Sequence, residues 1–327
     1  MGGGVRPTRM TPPIANAANV TARTRRRRGS SALFRAALVL ALSVSCAFAA
    51  PLVIASLHSA FSTGGGPAQP RQEAAQVVMN GLETGACMSL APTAPGAGKT
   101  VFIDPGHGGL DPGVVGVAGG RQVLEKEVTL AVATRLTSLL RADGYRVVLS
   151  RTADSSVAKL SASDSVAGAM TGSAVHRDLV ARTLCANAGA ASVLVSIHFD
   201  AFADPSVGGT ETFYNSVRPF AADNKRLAKD LQSSAVAALG TSDRGVWTDD
   251  ELVAPTLTVS GSLYGHLIEL GPSAAGWVDS PSQMPGALIE PMFLTNAAEA
   301  RLASEPAGQQ KVAVALRAGL QKYFSGA

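Results

Sequence analysis

From Lys99 to the C-terminus, short β-type apolar runs alternate with longer helical ones, and this alternation restricts the chain to a layered α/β architecture. Strands are expected at 100–104 (TVFID), 146–150 (RVVLS), 192–198 (SVLVSIH), 210–214 (TETFY), 263–270 (LYGHLIEL) and 286–290 (GALIE). Helices are expected at 125–142, 174–188, 219–239 and 297–324. In the first helix Val128, Leu130, Ala131, Val132, Leu136, Leu139 and Leu140 mark an apolar stripe that can turn toward a sheet. The expected fold over residues 99–327 is therefore α/β: a single domain with a mostly parallel twisted sheet flanked by helices on both faces. Residues 155–173, rich in Ser, Ala and Gly, read as an exposed loop.

The chain before this domain has a different composition. Residues 1–35 hold eight Arg and no acid, and taking that +8 from the total charge of +4 leaves the remainder at −4. Positive charge confined to a tail argues against nucleic acid as a partner, because a nucleic-acid footprint belongs on the folded domain. Residues 36–57 (AALVLALSVSCAFAAPLVIASL) then run for 22 positions without a charge, a length that crosses a bilayer. Ala47-Phe48-Ala49 also offers a small-residue signal cleavage site. A cleavable signal peptide and an uncleaved transmembrane anchor both fit. In either case the Arg cluster stays cytoplasmic and everything after residue 57 is exported, to the cell wall, the periplasmic space or the medium. Residues 58–98, rich in Gly, Pro, Ala, Ser and Gln, read as a flexible linker.

A content of 46% hydrophobic and 16% charged residues is that of a globular chain, and three Cys with 5% aromatics exclude a disulfide scaffold and an aromatic-rich binding module. Cys46 falls in the export segment, which leaves Cys87 and Cys185. They can pair in an oxidising compartment. The sequence supplies no separation between them and slightly favours two separately buried small side chains.

Chemistry concentrates at strand ends. Asp104-Pro105-Gly106-His107-Gly108-Gly109 follows the first strand, and His198 ends SVLVSIH in the same manner. Ligands in open α/β sheets gather at the carboxyl ends of strands. Glu125 begins the first helix, where its carboxylate can point back toward those ends. Two imidazoles and one carboxylate form the ligand set of many catalytic zinc sites, with a fourth position left for water. A lone strand-end His is more often structural, however, and a first-turn Glu more often serves the helix dipole.

The blocks VFIDPGHGGLDPG, LEKEVTLAVATRL, GYRVVLSRTAD, LVARTLCANAGAASVLVSIHFDA and PGALIEPMFLTNAAEA, in this order, resemble those of the zinc-dependent N-acetylmuramoyl-L-alanine amidases over roughly residues 99–325. The resemblance implies that His107, Glu125 and His198 bind one Zn2+ per chain and that Glu290 is the catalytic carboxylate. Glu125 is preferred to Glu127 because the family places its ligand directly before a Lys, as in Glu125-Lys126. The implied substrate is peptidoglycan, cut at the amide between the lactyl group of N-acetylmuramic acid and L-alanine of the stem peptide. Zinc lowers the pKa of a water from 15.7 toward ~7, and Glu290 would carry the proton to the leaving amine. The resemblance leaves room for an unidentified protein activator, and for a membrane partner through 36–57 if that segment is uncleaved.

Several positions depart from the family pattern or fall outside it. Pro291-Met292 replaces the usual Leu-Gly after the catalytic Glu, which removes a backbone donor and motivates the alternative of an inactive peptidoglycan-binding or regulatory homologue. Phe199-Asp200-Ala201 stands where Ala-Asn-Ala is common. An additional stretch, YGHLIELGP, carries His266 and Glu269; three apart on a strand they would face opposite sides. Glu269 is the second choice for the catalytic carboxylate. Arg151, Arg182 and Asn187 match the family and are expected to orient loops rather than bind substrate. Glu211 is expected to be solvated or to support the site from behind, and Asp111 to accept the second ring N–H of a metal-bound His. A weaker third reading is a zinc carboxypeptidase or another amidohydrolase.

Overall fold

The structure, a computed structural model, describes residues 74–253 and 255–326. The basic tail 1–35, the apolar segment 36–57 and the linker up to residue 73 lie outside the described residues. Among the described residues no helix is long and apolar enough to cross a membrane.

Eight strands form one sheet: β1 (Ala75–Gln76), β2 (Ala86–Leu90), β3 (Thr100–Pro105), β4 (Arg146–Arg151), β5 (Val193–Ile197), β6 (Thr210–Tyr214), β7 (Asp243–Thr248) and β8 (Gly286–Glu290). Their spatial order is β1-β2-β4-β3-β5-β8-β6-β7. The central four, β4, β3, β5 and β8, are parallel. Antiparallel pairs flank them, β2 on β4 and β6 on β8, and β7 runs parallel to β6. The helices are α1 (Glu125–Ala142), α2 (Gly172–Ala188), α3 (Ala221–Leu239), α4 (Ala297–Ser304) and α5 (Pro306–Ser325).

Central strands buried on both faces need apolar residues through their middle, and these strands have them, with the buried polar groups Asp104, Ser150, Arg151, Ser196 and Glu290 gathered toward their carboxyl ends. On one face Val101, Ile103, Val147, Val195 and Ile289 pack against Val132 and Leu136 of α1, Leu227 and Leu231 of α3, and Leu316 and Leu320 of α5. On the other face Phe102, Val148, Leu194 and Leu288 meet Ala186 of α2 and Leu270 and Met284 of the irregular chain between β7 and β8. The sheet is thus mixed at its edges and parallel at its centre, with cover on both faces.

Four expectations are corrected. Residues 75–98 are not linker: β1 and β2 extend the sheet, with Ala86 and Cys87 fully buried. A short edge strand between Gly- and Pro-containing turns carries too little apolar signal to show in composition. The run 263–270 is not one strand. Only Leu263–Tyr264 pairs, with Thr256–Leu257, and the chain then turns, Leu270 N–H donating to Leu267 O at 3.1 Å. Residues 155–173 contain a one-turn helix at Ala162–Asp164 and a small hairpin, Ser165–Val166 with Ala169–Met170. The expected helix 297–324 is two helices, because Pro306 lacks an N–H and opens α5 as its first residue, while Asn296 caps α4 by accepting from Ala298 N and Glu299 N.

Cys87 and Cys185 are joined in a disulfide, contrary to the favoured expectation of separate burial, with Cα atoms 5.6 Å apart and 98 positions between them in sequence. The bond ties β2 to α2. Disulfides typically contribute about 2–4 kcal/mol, chiefly through the unfolded chain. The double variant Cys87→Ser/Cys185→Ser should therefore be less stable by about 2–4 kcal/mol in denaturant titration, and reductant should lower the Tm of the wild type but not of the variant. A wild-type Tm insensitive to reductant would show that the thiols are unpaired.

Candidate active site

The site grows from the turn after β3. His107 has φ +62°, a left-handed conformation uncommon for residues other than glycine. Two buried guanidinium groups hold it there. Arg151, at the end of β4, donates from Nε to Pro105 O (3.0 Å) and from Nη2 to Gly106 O (2.9 Å). Arg182, on α2, donates from Nη1 to Pro105 O (3.1 Å) and from Nη2 to His107 O (2.8 Å). Three successive carbonyls are thereby drawn to one side of the turn. Lys126 Nζ ties the next part of the loop by donating to Gly109 O (2.7 Å) and Asp154 Oδ2 (2.8 Å).

Arg182 is itself held by carboxylates. Its Nη1 reaches Asp104 Oδ1 at 2.8 Å, and its Nε and Nη2 reach Asp178 Oδ2 at 3.0 and 2.8 Å. Burial alone would raise the Asp104 carboxyl, but Arg182 and neighbouring hydroxyl donors outweigh it and lower the pKa, so Asp104 is ionised. Asp178 also accepts from Val157 N (2.6 Å) and Ala158 N (2.8 Å), which fixes the loop after β4. Sequence reading passed over Asp104 and Asp178. The i, i+4 spacing of Asp178 and Arg182 on one helix was the available signal.

His107, Glu125 and His198 converge, with one ligand atom from each lying within 4.8 Å of the others. His107 Nε2 is 3.0 Å from Glu125 Oε2, His198 Nδ1 is 3.0 Å from Glu125 Oε1, and the two ring nitrogens are 3.1 Å apart. Backbone donors aim the carboxylate: Val114 N to Oε2 at 2.8 Å and Phe199 N to Oε1 at 2.9 Å. Asp111 Oδ2 lies 2.8 Å from His107 Nδ1, so the outer nitrogen is tied and Nε2 is turned inward. Two glycines provide the room. A Cβ at Gly106 would come within 2.2 Å of the His198 ring, and one at Gly113 within 2.5 Å of Glu125 Oε2.

The electrostatics favour a cation at this point. Burial opposes a charged imidazole, yet Glu125 and Asp111 more than offset it and push His107 up to about 10. Glu125 shows the reciprocal effect: burial works to raise its pKa, but His107 and His198 hold it well below the usual carboxylate range. Two imidazole nitrogens and one aimed carboxylate are a donor set that suits zinc, and the carboxylates here stabilise positive charge.

His107, Asp111 and His198 border a cavity of about 260 Å³ that also takes in Glu290 and Glu269. Glu290 ends β8 and is buried. Pro291 does not turn it away from the cavity: the chain re-pairs at once, Asp200 N donating to Met292 O (3.0 Å) and Leu294 N to Asp200 O (2.8 Å). Asp200 borders the cavity as well.

Of the two expectations for Glu211, solvated or supporting the site from behind, the structure excludes the first. Glu211 is fully buried, paired with Arg244 Nε at 3.0 Å, and stands directly across from Glu290 in the antiparallel β6–β8 register, so the two side chains share a face. His266 is held by Asp249 Oδ1 (3.2 Å) and Asn215 Nδ2 (3.1 Å) rather than by the His–Glu–His group. Asn187 fastens α2 to the chain before β8, donating to Pro281 O (3.1 Å) and accepting from Gln283 N (2.9 Å). If Asp111 orients His107 for a metal, Asp111→Asn should weaken divalent-cation affinity by about 10–100-fold, measured by zinc titration of metal-free protein with the circular dichroism spectrum unchanged. Wild-type affinity in that variant would show that the contact does not orient the ligand.

Comparison with known proteins agrees with this geometry. The family model described as N-acetylmuramoyl-L-alanine amidase matches residues 101–322. The N-acetylmuramoyl-L-alanine amidase LytC of Bacillus subtilis is 33% identical over 230 residues, covering 70% of this chain and 36% of that protein. The germination-specific N-acetylmuramoyl-L-alanine amidase of the same organism is 30% identical over 231 residues, covering 71% of this chain and 82% of its own length. The chain thus spans about a third of the first of these relatives and most of the second. Among solved structures, the CwlD amidase of Clostridioides difficile, determined in complex with the GerS lipoprotein, aligns with a TM-score of 0.54 at 28% identity, covering 70% of this chain and 100% of that one. With the family model matched across residues 101–322, well over half the chain, this protein belongs to the N-acetylmuramoyl-L-alanine amidase family.

Proposed function

We propose that this chain is an exported, zinc-dependent peptidoglycan hydrolase that cleaves the amide between the lactyl group of N-acetylmuramic acid and L-alanine of the stem peptide. The observation that carries the proposal is the convergence of His107, Glu125 and His198, two of which, His107 and His198, stand in the wall of one cavity with Glu290. Residues 36–57 would deliver the domain across the membrane and, if uncleaved, keep it there. The CwlD amidase, solved with a lipoprotein, is the precedent for extending the proposal to an accessory protein. A binding-only role has no support in the site, since Glu290 keeps its place beside the His–Glu–His group despite Pro291.

In this reading His107 Nε2, His198 Nδ1 and Glu125 hold the metal. Zinc, when bound, supplies Lewis acidity, which brings the pKa of water from 15.7 to ~7 and polarises a carbonyl. Glu290 takes the proton of the attacking water on its carboxylate and delivers it to the departing amide nitrogen, a role typically contributing ~10²–10⁴-fold. Asp111 keeps His107 oriented. Arg151 and Arg182 keep the turn that presents it from relaxing to an ordinary conformation. Leu252, Leu267 and Leu270 give the cavity an apolar stretch of wall.

Glu290→Gln should lower kcat by about 10²–10⁴-fold while keeping one zinc per chain. Mass analysis of digested sacculi should show stem peptides with a free L-alanine amino end, and chelation should abolish their release. Zinc-loaded wild-type protein that frees no such amino ends would overturn the proposal.

A further inference from the structure

We infer that the cavity beside the His–Glu–His group contains a recognition subsite built on Glu269, which takes a neutral primary carboxamide of the stem peptide in preference to a carboxylate. The inference rests on the peptidoglycan reading above and narrows its substrate class.

Glu269 is only 5% exposed, yet it borders the cavity shared with His107, His198 and Glu290. Its Oε2 atom is buried and has no hydrogen-bond partner among the described residues. Leaving a buried polar atom unsatisfied costs about 1–3 kcal/mol, and native structures rarely retain such an atom without a use for it. Much of the cavity wall is apolar, with Met170, Leu179, Leu252 and Leu267, and the side-chain hydrogen bond that Glu269 does make runs to Asp104. A ligand group entering the cavity is what completes this carboxyl.

The surrounding charges select the kind of group. The cation nearest Glu269 is Arg182, the natural receptor for a carboxylate. Its donors are already used. Nε serves Asp178, Nη1 serves Asp104 and Pro105 O, and Nη2 serves His107 O and Asp178, which engages all five N–H groups. An incoming carboxylate would meet the buried negative charges of Asp104 and Asp178 with no free donor to receive it. A primary carboxamide carries no charge and brings both an N–H donor and a C=O acceptor. Burial, the Asp104 charge and a hydrogen bond to Asp104 raise the Glu269 carboxyl well above its ordinary range, so its proton is held toward Asp104 and Oε2 is left as an acceptor for an incoming N–H, which a carboxamide has and a carboxylate lacks. A carboxyl in that state is poorly suited to take a proton from water, which separates its role from that of Glu290.

The test uses two synthetic muramyl dipeptides, N-acetylmuramoyl-L-alanyl-D-isoglutamine and N-acetylmuramoyl-L-alanyl-D-glutamate, which differ only in CONH2 against COO− at the α position. Calorimetric titration into zinc-loaded Glu290→Gln protein should show tighter binding of the carboxamide by about tenfold or more, the effect of one or two buried neutral hydrogen bonds. Glu269→Leu in the same background should remove most of that preference, and Glu269→Gln, which still donates and accepts, should retain much of it. Equal affinity for the two dipeptides, binding of neither, or a preference that survives Glu269→Leu would overturn the subsite. Cleavage by wild-type protein reports separately. If the carboxamide binds preferentially and neither dipeptide is cut, the subsite stands and the hydrolase reading fails.

Discussion

The site depends on two buried arginines that grip the backbone of one turn. Arg151 and Arg182 come from different elements, the end of β4 and the middle of α2, yet they donate to the consecutive carbonyls of Pro105, Gly106 and His107. A left-handed His is not a conformation the chain adopts by local preference. Tertiary hydrogen bonds to charged donors, each worth about 1.5–3 kcal/mol, impose it. Once the turn is fixed, His107 faces His198 across the narrow gap that Gly106 leaves open, and Glu125 closes the group from the start of α1.

Charge is distributed around this turn in two layers. In front, Glu125 and Asp111 favour positive charge on His107, and this is the property that makes the position suitable for a metal. Behind, Asp104 and Asp178 neutralise Arg182 and consume its donors, so the buried guanidinium acts as structure rather than as a receptor. The carboxyl groups of the cavity then differ by environment. Glu290 ends a strand beside the His–Glu–His group, whereas Glu269 sits against Asp104 on a turn of the irregular chain between β7 and β8. Environment assigns different work to residues of the same type.

Much of this was legible in the sequence, and the exceptions have physical causes. The bounds of α1 follow from the helical spacing of its buried residues, and those of β6 and β8 from short runs that are buried at every position. The edge strands β1, two residues long, and β7, which reads DRGVWT with no apolar residue in its first three positions, escaped notice because edge strands need few apolar residues, and β2, ACMSL, was lost among Gly- and Pro-containing turns. The run LYGHLIEL has a strand's composition, but pairing stops at Tyr264 before Gly265, and burial in the cluster of Phe102 and Leu194 rather than pairing accounts for Leu267 and Leu270. His107 and His198 announced themselves as strand-end residues. The Asp104–Arg182–Asp178 network, the Glu211–Glu290 register and the Cys87–Cys185 bond did not, since each joins positions whose proximity is created by the packing of α2 and the sheet.

The central claim is that one metal ion sits among His107 Nε2, His198 Nδ1 and the Glu125 carboxylate. Crystals of the zinc-saturated protein, measured on both sides of the zinc absorption edge, test it most directly. The account predicts a single strong anomalous peak between those three side chains, lost in His107→Ala. A zinc-saturated protein whose peak lies elsewhere, or that keeps the peak in that variant, would contradict it.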